Sequence, residues 1–479
     1  MKTVFEKSVK GRLGNITKKP EKTAKDLLPE SLLRQNKARL PELSELDVMR
    51  HFTELSRLNF SVDNNFYPLG SCTMKYNPRF ADLASSLPGF ANIHPFAAEF
   101  ESSAPFTQGA LEAVWTLETL LNELTGMKAF SLQPMAGAQG ELTGIMLIAA
   151  YHRHKGNKKT KVICPDSAHG TNPATAALAG YEVVNIPSKD GIIDPSILAT
   201  VLDDDVAALM MTCPNTLGLF EKNLPEIVEL LRSKDALLYY DGANFNAIMG
   251  KMRVGDAGFD VVHLNLHKTM GTPHGGGGPG AGPVGVIEKL IPFLPTPRVQ
   301  KTKDNHFYLE QTSELSIGKV APFHGNFAVC LRALAYILRL GKEGLTRASE
   351  YAVLNANYLR VALEKVLEIP YNRICMHEFV ASAVNYKDVK ALDIAKAMLD
   401  QNIHAPTIYF PLIVKECMMF EPTETESKDT LDRLIQVLSD IAVIAEKNPQ
   451  QLHDAPQNLP RKRMDETKAA RDMVLTYEL

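Results

Sequence analysis

Between positions 109 and 287, apolar runs of three to six residues alternate with stretches whose apolar residues recur every third or fourth position. The runs predict strands over 129–132, 162–164, 182–186, 207–212, 237–241, 261–264 and 283–286. The helical spacing predicts helices over 110–124, 141–154, 172–179, 195–202 and 224–231. Strands that alternate with helices make βαβ units, so a mostly parallel sheet in a large α/β domain is expected. Beyond it the pattern changes to long amphipathic helices over 326–340 and 344–367, a strand over 379–384, and helices over 391–399 and 431–447. That fits a smaller C-terminal α+β domain. Residues 30–105 are mixed and proline-bearing, and 448–479 are polar with little periodicity. The expected division is 1–105 as N-terminal arm and segment, 106–325 as large domain, and 326–479 as small domain with a polar tail.

Composition narrows the partners more than the fold. A chain of 479 residues, 45% hydrophobic and 22% charged, can bury an ample core and divides into more than one domain. The net charge of −3 and pI near 6.5 create no large field of either sign. Neither nucleic acid nor an anionic membrane is therefore an expected partner. No apolar run approaches the roughly 18 residues that span a bilayer. The six cysteines lie far apart without CxxC or zinc-ligand spacing, which suits a reducing cytoplasm, no structural disulfide and no metal site. The first 25 residues are rich in lysine but include Glu6 and Glu21, which fits a surface arm better than an acid-poor transit peptide.

The chemistry concentrates around one lysine. Lys268 stands where the strand-like His263-Leu264-Asn265-Leu266 ends and the run Gly275-Gly276-Gly277-Gly278 soon begins. A Walker A loop has the opposite order, with lysine after the glycines. A flexible linker does not sit between two apolar strands of a compact domain. The remaining role is a Schiff-base nucleophile. Asp241, 27 residues upstream, also ends an apolar strand. Neighbouring parallel strands present their C-terminal ends along one edge, where ligands bind, so the two residues should be neighbours. Asp241 would hold a cofactor ring nitrogen protonated; without Lys268 the favoured reading is a helix N-cap.

Two further turns belong to the same edge. Gly137, Ala138 and Gln139 precede the helix over 141–154, and their N–H groups would cradle an anion with the helix dipole behind them. Alone, such a turn is more often ordinary strand-to-helix geometry. His169 ends another βα turn and could stack on a cofactor or move a proton; lone turn histidines are usually just hydrogen-bonded polar residues. An aminotransferase or another amino-acid decarboxylase would use the same groups, and a regulatory subunit could retain the fold.

Longer segments discriminate further. These are Tyr67-Pro68-Leu69-Gly70-Ser71-Cys72-Thr73-Met74-Lys75-Tyr76-Asn77-Pro78, residues 133–144, 167–175, 212–218, 240–244 and 265–286, Pro406-Thr407-Ile408-Tyr409-Phe410-Pro411, and Glu421-Pro422-Thr423-Glu424-Thr425-Glu426. With them the chain resembles the pyridoxal-phosphate-dependent glycine decarboxylases of the glycine cleavage system, in the split prokaryotic form as subunit 2. The resemblance implies a pyridoxal-phosphate fold-type I architecture, Lys268 as the cofactor lysine, and His169 and Asp241 in catalysis. It places Ala243, Thr212, Asn215 and His267 at the cofactor beside Gly137, Ala138 and Gln139. It puts Ser71, Cys72, Thr73 and Lys75 on the substrate side, near the glycine carboxylate.

The implied reaction is oxidative decarboxylation of glycine, with the aminomethyl group passed to the lipoyl arm of an H-protein. The implied assembly is a heterotetramer with subunit 1, two copies of each. Single-chain members are about twice as long, so this chain would be the catalytic half. The family pattern has histidine where Gln139 stands, and arginine and tyrosine where Ala321 and His324 stand. Residues 92–107 also depart from it.

Overall fold

The computed structural model describes residues 1–14, 18, 20–36, 38–275 and 278–476; Gly276 and Gly277 of the glycine run lie outside them. The chain forms two compact units, Met1–Ser61 with Pro456–Leu479, and Val62–Ala455. In the first, the helix Glu45–Ser56 starts at a capping box in which Ser44 Oγ accepts from Asp47 N at 3.1 Å. The candidate chemistry lies wholly in the second.

That unit is built on a seven-stranded sheet: β1 (Ala129–Ser131), β2 (Lys161–Pro165), β3 (Glu182–Ile186), β4 (Val206–Thr212), β5 (Leu237–Gly242), β6 (Val261–Leu264) and β7 (Val284–Val286). Their order is β1-β7-β6-β5-β4-β2-β3. Pairings from β3 through β6 are parallel, and β7 runs antiparallel to both neighbours. Every residue of β4 and β5 is buried. Both faces are covered, so these strands read as continuous apolar runs. Leu209, Met211, Leu238 and Tyr240 pack into one core, and Met210, Leu237 and Tyr239 into the core on the opposite face.

The helices that matter to the site are α1 (Ala104–Thr125), α2 (Gly137–His154), α3 (Thr171–Leu178), α4 (Leu266–Thr269) and α5 (Phe327–Leu363). One boundary differs from expectation for a physical reason. Gly137, Ala138 and Gln139 are not a loop before α2 but its first turn, because Gly140 N already bonds Ala136 O at 2.9 Å. The two helices expected over 326–340 and 344–367 are both present, parted at Gly341, whose φ of 61° and ψ of −174° break the helical path in a conformation cheap only for glycine.

A smaller antiparallel sheet consists of β8 (Phe379–Ser382), β9 (Thr407–Ile408) and β10 (Cys417–Phe420), with β10 central. Phe379 faces Phe420 across the ladder, and Leu69 bridges to Phe420 as well. The segment preceding Ser71 is therefore tied to β10. No described helix is long and apolar enough to cross a membrane, and all six cysteines are free thiols.

Candidate active site

Strand register brings three polar residues into one row. Thr212 on β4 pairs with Asp241 on β5, which pairs with His263 on β6. Side chains paired in register point to the same face of a sheet, here the face beneath α2. Asp241 is buried, yet its carboxylate is well supplied. Asn172 Nδ2 donates to Oδ2 at 2.9 Å, Ala243 N donates to Oδ1 at 2.9 Å, and His263 Nε2 lies 3.4 Å from Oδ1. Burial pushes this carboxyl up, but His263, those donors and the charge on Lys268 together hold it below its usual range. Asp241 stays ionised.

Glu141, on α2, has the opposite fate. Burial first, and then the charge on Asp241, push its carboxyl up to about 8. Thr171 Oγ1 donates to it at 2.8 Å, and Asn172 Nδ2 bridges to it at 3.2 Å. One carboxylate charged and its neighbour neutral is what two close acids in a dry site must adopt. Donor atoms of Glu141, Asp241 and His263 lie within 4.8 Å of one another, but the Asn172 amide already occupies the space between the two acids. Thr212 Oγ1 in this row and Asn172 Oδ1 beside it are buried polar atoms with no hydrogen-bond partner among the described residues. Such atoms are rare in folded interiors.

Lys268 sits on α4, the single turn that follows β6. It is half-buried, and its Nζ donates to the carbonyl of Ser71 at 2.8 Å. Its charge acts on Asp241, Glu141 and His169. The two residues expected to be neighbours are thus brought to one edge. His169 is exposed there, with Nδ1 2.8 Å from Thr171 Oγ1 and its ring edge-on to Phe410. His267 Nδ1 accepts from Ala281 N at 3.3 Å. Burial, with the charge on Lys268, pushes that imidazole down to about 3, so it remains neutral.

The first turn of α2 contributes backbone only. N–H groups of Gly137, Ala138 and Gln139 have no partner among the described residues, and no side chain caps the helix. Gly137 is required by close approach: a Cβ would come 2.6 Å from Asn265 Oδ1. The Gln139 side chain faces away from this role, accepting from Met135 N at 2.7 Å and donating to Val320 O at 2.6 Å.

The Ser71–Thr73 turn lies against Lys268. Cys72 Sγ is 3.3 Å from His274 Nε2, and burial pushes the thiol up, so it stays protonated. Two expected contacts are placed otherwise. Lys75 is 2% exposed, and its ammonium meets Glu424 Oε1 at 2.5 Å, Asn246 Oδ1 at 2.7 Å, Thr269 O at 2.9 Å and Tyr336 OH at 3.2 Å. Three N–H donors facing four acceptors leave none for a substrate carboxylate. Asn215 turns inward as well, donating to Gly191 O at 2.7 Å and accepting from Leu217 and Leu219 N–H groups. Its amide builds the turn after β4.

Sequence pattern alone does not single out Glu141, Asn172 or His263 as site residues. The available signal was a carboxylate on the first periodic residue of a helix, and a histidine inside an otherwise apolar strand.

Similarity to known proteins follows the same lines. A crystal structure titled glycine decarboxylase (P-protein) of the glycine cleavage system, in inhibitor-bound form, superposes with a TM-score of 0.70 at 20% identity, covering 88% of this chain and 95% of that one. A C-DES mutant with glycine covalently linked to its PLP cofactor superposes with a TM-score of 0.60 at 14% identity, covering 82% and 99%. The architecture is pyridoxal-phosphate fold-type I. Residues 348–461 match the family model described as "Glycine dehydrogenase, C-terminal domain". A Kosmotoga olearia protein named "Probable glycine dehydrogenase (decarboxylating) subunit 2" is 55% identical over 98% of both chains. The chain belongs to the glycine dehydrogenase (decarboxylating) subunit 2 family.

Proposed function

We propose that this chain catalyses the pyridoxal-phosphate-dependent oxidative decarboxylation of glycine, releasing carbon dioxide and passing the aminomethyl group to the lipoyl arm of an H-protein. The observation that carries the reading is the half-buried Lys268 amine at the same sheet edge as a buried, ionised Asp241. The donor set fits the cofactor: an amine for its aldehyde, a carboxylate for its ring nitrogen, unpartnered helix-terminal N–H groups for its phosphate, and the unpartnered Thr212 hydroxyl nearby.

When bound, pyridoxal phosphate supplies an electron sink for the pair left when carbon dioxide departs. Lys268 would anchor it through Nζ and would be freed whenever substrate takes its place. Asp241 keeps the ring nitrogen's proton in place, and Asn172 and Ala243 hold that carboxylate still. Gly137, Ala138 and Gln139 receive the phosphate through backbone N–H groups and the dipole of α2. Ala243, small and half-buried, leaves room over Asp241, while His169 is free to cover the cofactor or move a proton. The Ser71–Thr73 turn forms the substrate side. Neutral His267 adds no charge beside Lys268.

Relatives bear the name subunit 2, which implies a partner subunit. We extend the reading to a cytoplasmic heterotetramer with two copies each of subunits 1 and 2. Residues 106–325 are proposed as the cofactor domain and 326–479 as the small domain. The test mixes the purified chain with partner subunit and lipoylated H-protein, and follows exchange of labelled bicarbonate into glycine. Exchange with glycine alone among amino acids is expected, together with a visible absorbance band that borohydride abolishes. A Lys268→Ala chain that retained both would overturn the assignment, and transamination of several amino acids would favour an aminotransferase.

A further inference from the structure

A second group of buried ionisable side chains lies outside the Asp241 row. His377, Glu378 and Glu421 have donor atoms within 4.8 Å of one another, and each is no more than 1% exposed. Topology puts them there. Phe379 faces Phe420 across β8 and β10, so Glu378 and Glu421 are the next residues at that end of the ladder.

Both acids reach the same turn. Ser71 N donates to Glu378 Oε2 at 2.6 Å, and Thr73 Oγ1 donates to Glu421 Oε1. The second oxygen of Glu378 accepts from Asn244 Nδ2 at 2.9 Å, three residues beyond Asp241. Between these anchors Ser71 is held at φ 59°, a left-handed conformation that a non-glycine residue adopts at a cost of about 1 kcal/mol or more. Gly70 is pinned too, its N–H on Met419 O at 3.2 Å and its carbonyl accepting from Thr407 Oγ1 at 2.8 Å. The strained conformation has one visible product: the Ser71 carbonyl accepts from Lys268 Nζ at 2.8 Å.

We propose that Glu378 and Glu421 are positioning residues that set the Ser71–Thr73 turn so that the Ser71 carbonyl receives the Lys268 amine whenever that amine is not bonded to the cofactor. This rests on the proposed function, in which Lys268 must leave the cofactor and return in every cycle. A free ammonium on a flexible stem would otherwise sample many orientations; one fixed acceptor keeps it close to its next reaction. Burial pushes the Glu378 carboxyl up, with the adjoining Glu421 adding to it, and Glu421 itself is pushed up to about 7. A neutral acid at 378 accepts from Ser71 N through its carbonyl oxygen; glutamine keeps that acceptor, and its amide N–H can meet Asn244 Oδ1, which has no partner among the described residues, once the Asn244 amide turns over.

The test follows cofactor capture by the full-length chain stripped of pyridoxal phosphate, read as growth of the borohydride-sensitive band, with melting temperature as a check on folding. Glu378→Ala is expected to slow band growth roughly tenfold or more, and to lower kcat for bicarbonate exchange more than it changes KM. Glu378→Gln should restore both to within about threefold. Glu421→Ala, which frees the other end of the turn, should slow band growth in the same direction and serves if Glu378→Ala does not fold. Band growth at the wild-type rate in folded alanine variants would overturn the proposal, as would a glutamine variant as slow as the alanine one. A wild-type chain with no such band would sink the functional reading instead.

Discussion

Glu141 and Asp241 share one hydrogen-bond donor, Asn172 Nδ2, at 3.2 and 2.9 Å, and of the two only Asp241 carries charge near neutrality. The split makes stability depend on pH. The Glu141 carboxyl sits at about 8 when folded, against an ordinary value of 4.5. Between those values the folded chain binds one proton more than the unfolded chain, so stability falls as pH rises through this window and the loss is complete above about 8. The Glu141→Gln chain should lack this decline and exceed wild type by a few kcal/mol at pH 9. Urea unfolding of the cofactor-free chain between pH 5 and 9 measures it; parallel curves for the two chains would rule out a proton on Glu141.

Asp241→Asn keeps the size and the hydrogen bond from Ala243 N but removes the charge. A ring nitrogen facing a neutral amide loses its proton more readily, and the electron sink weakens. Bicarbonate exchange should fall about a hundredfold or more while the borohydride-sensitive band persists. Loss of the band along with activity would show that Asp241 serves binding and not the sink.

Much of this site was legible because its carriers end apolar runs. Both-face burial makes β4, β5 and β6 continuous in sequence, so the polar residues that close them, Thr212, Asp241 and the Asn265–Lys268 stretch, stand out. Short-range pattern cannot report register. Nothing local to Thr212, Asp241 and His263 announces that they share a row, or that Asn172 reaches two carboxylates 31 and 69 residues away. The start of α2 is not legible in sequence because its first turn is rich in glycine and alanine, which mark a loop as readily as a helix waiting for an anion. Chain proximity groups Lys75 with Ser71 to Thr73, whereas its partners come from 171 to 349 residues away.

Gly137→Ala tests the anion cradle at a single atom. The added Cβ would come 2.6 Å from Asn265 Oδ1, a side chain on the stretch leading to Lys268. Either the first turn of α2 or Asn265 must shift, and the unpartnered N–H groups lose their common aim. Affinity for pyridoxal phosphate should drop about tenfold or more, with little change in affinity for unphosphorylated pyridoxal. Equal losses for both ligands would place the phosphate elsewhere.

Lys75 and Glu424 decide between a substrate contact and an internal strut. Burial pushes the Lys75 ammonium down, but Glu424 and Tyr336 more than reverse this, so it stays charged with side-chain exposures of 1% and 10% for the pair. Lys75→Met strands the Glu424 carboxylate and should cost about 3 kcal/mol or more of stability. Adding Glu424→Gln removes the stranded charge and should recover a large part of that loss, because partners in one network are not additive. The KM for glycine at a temperature where all variants are folded should change by less than about threefold, since a strut makes no contact that substrate binding would lose. A Lys75→Met chain of wild-type stability with a KM raised a hundredfold would instead put the ammonium on the substrate carboxylate.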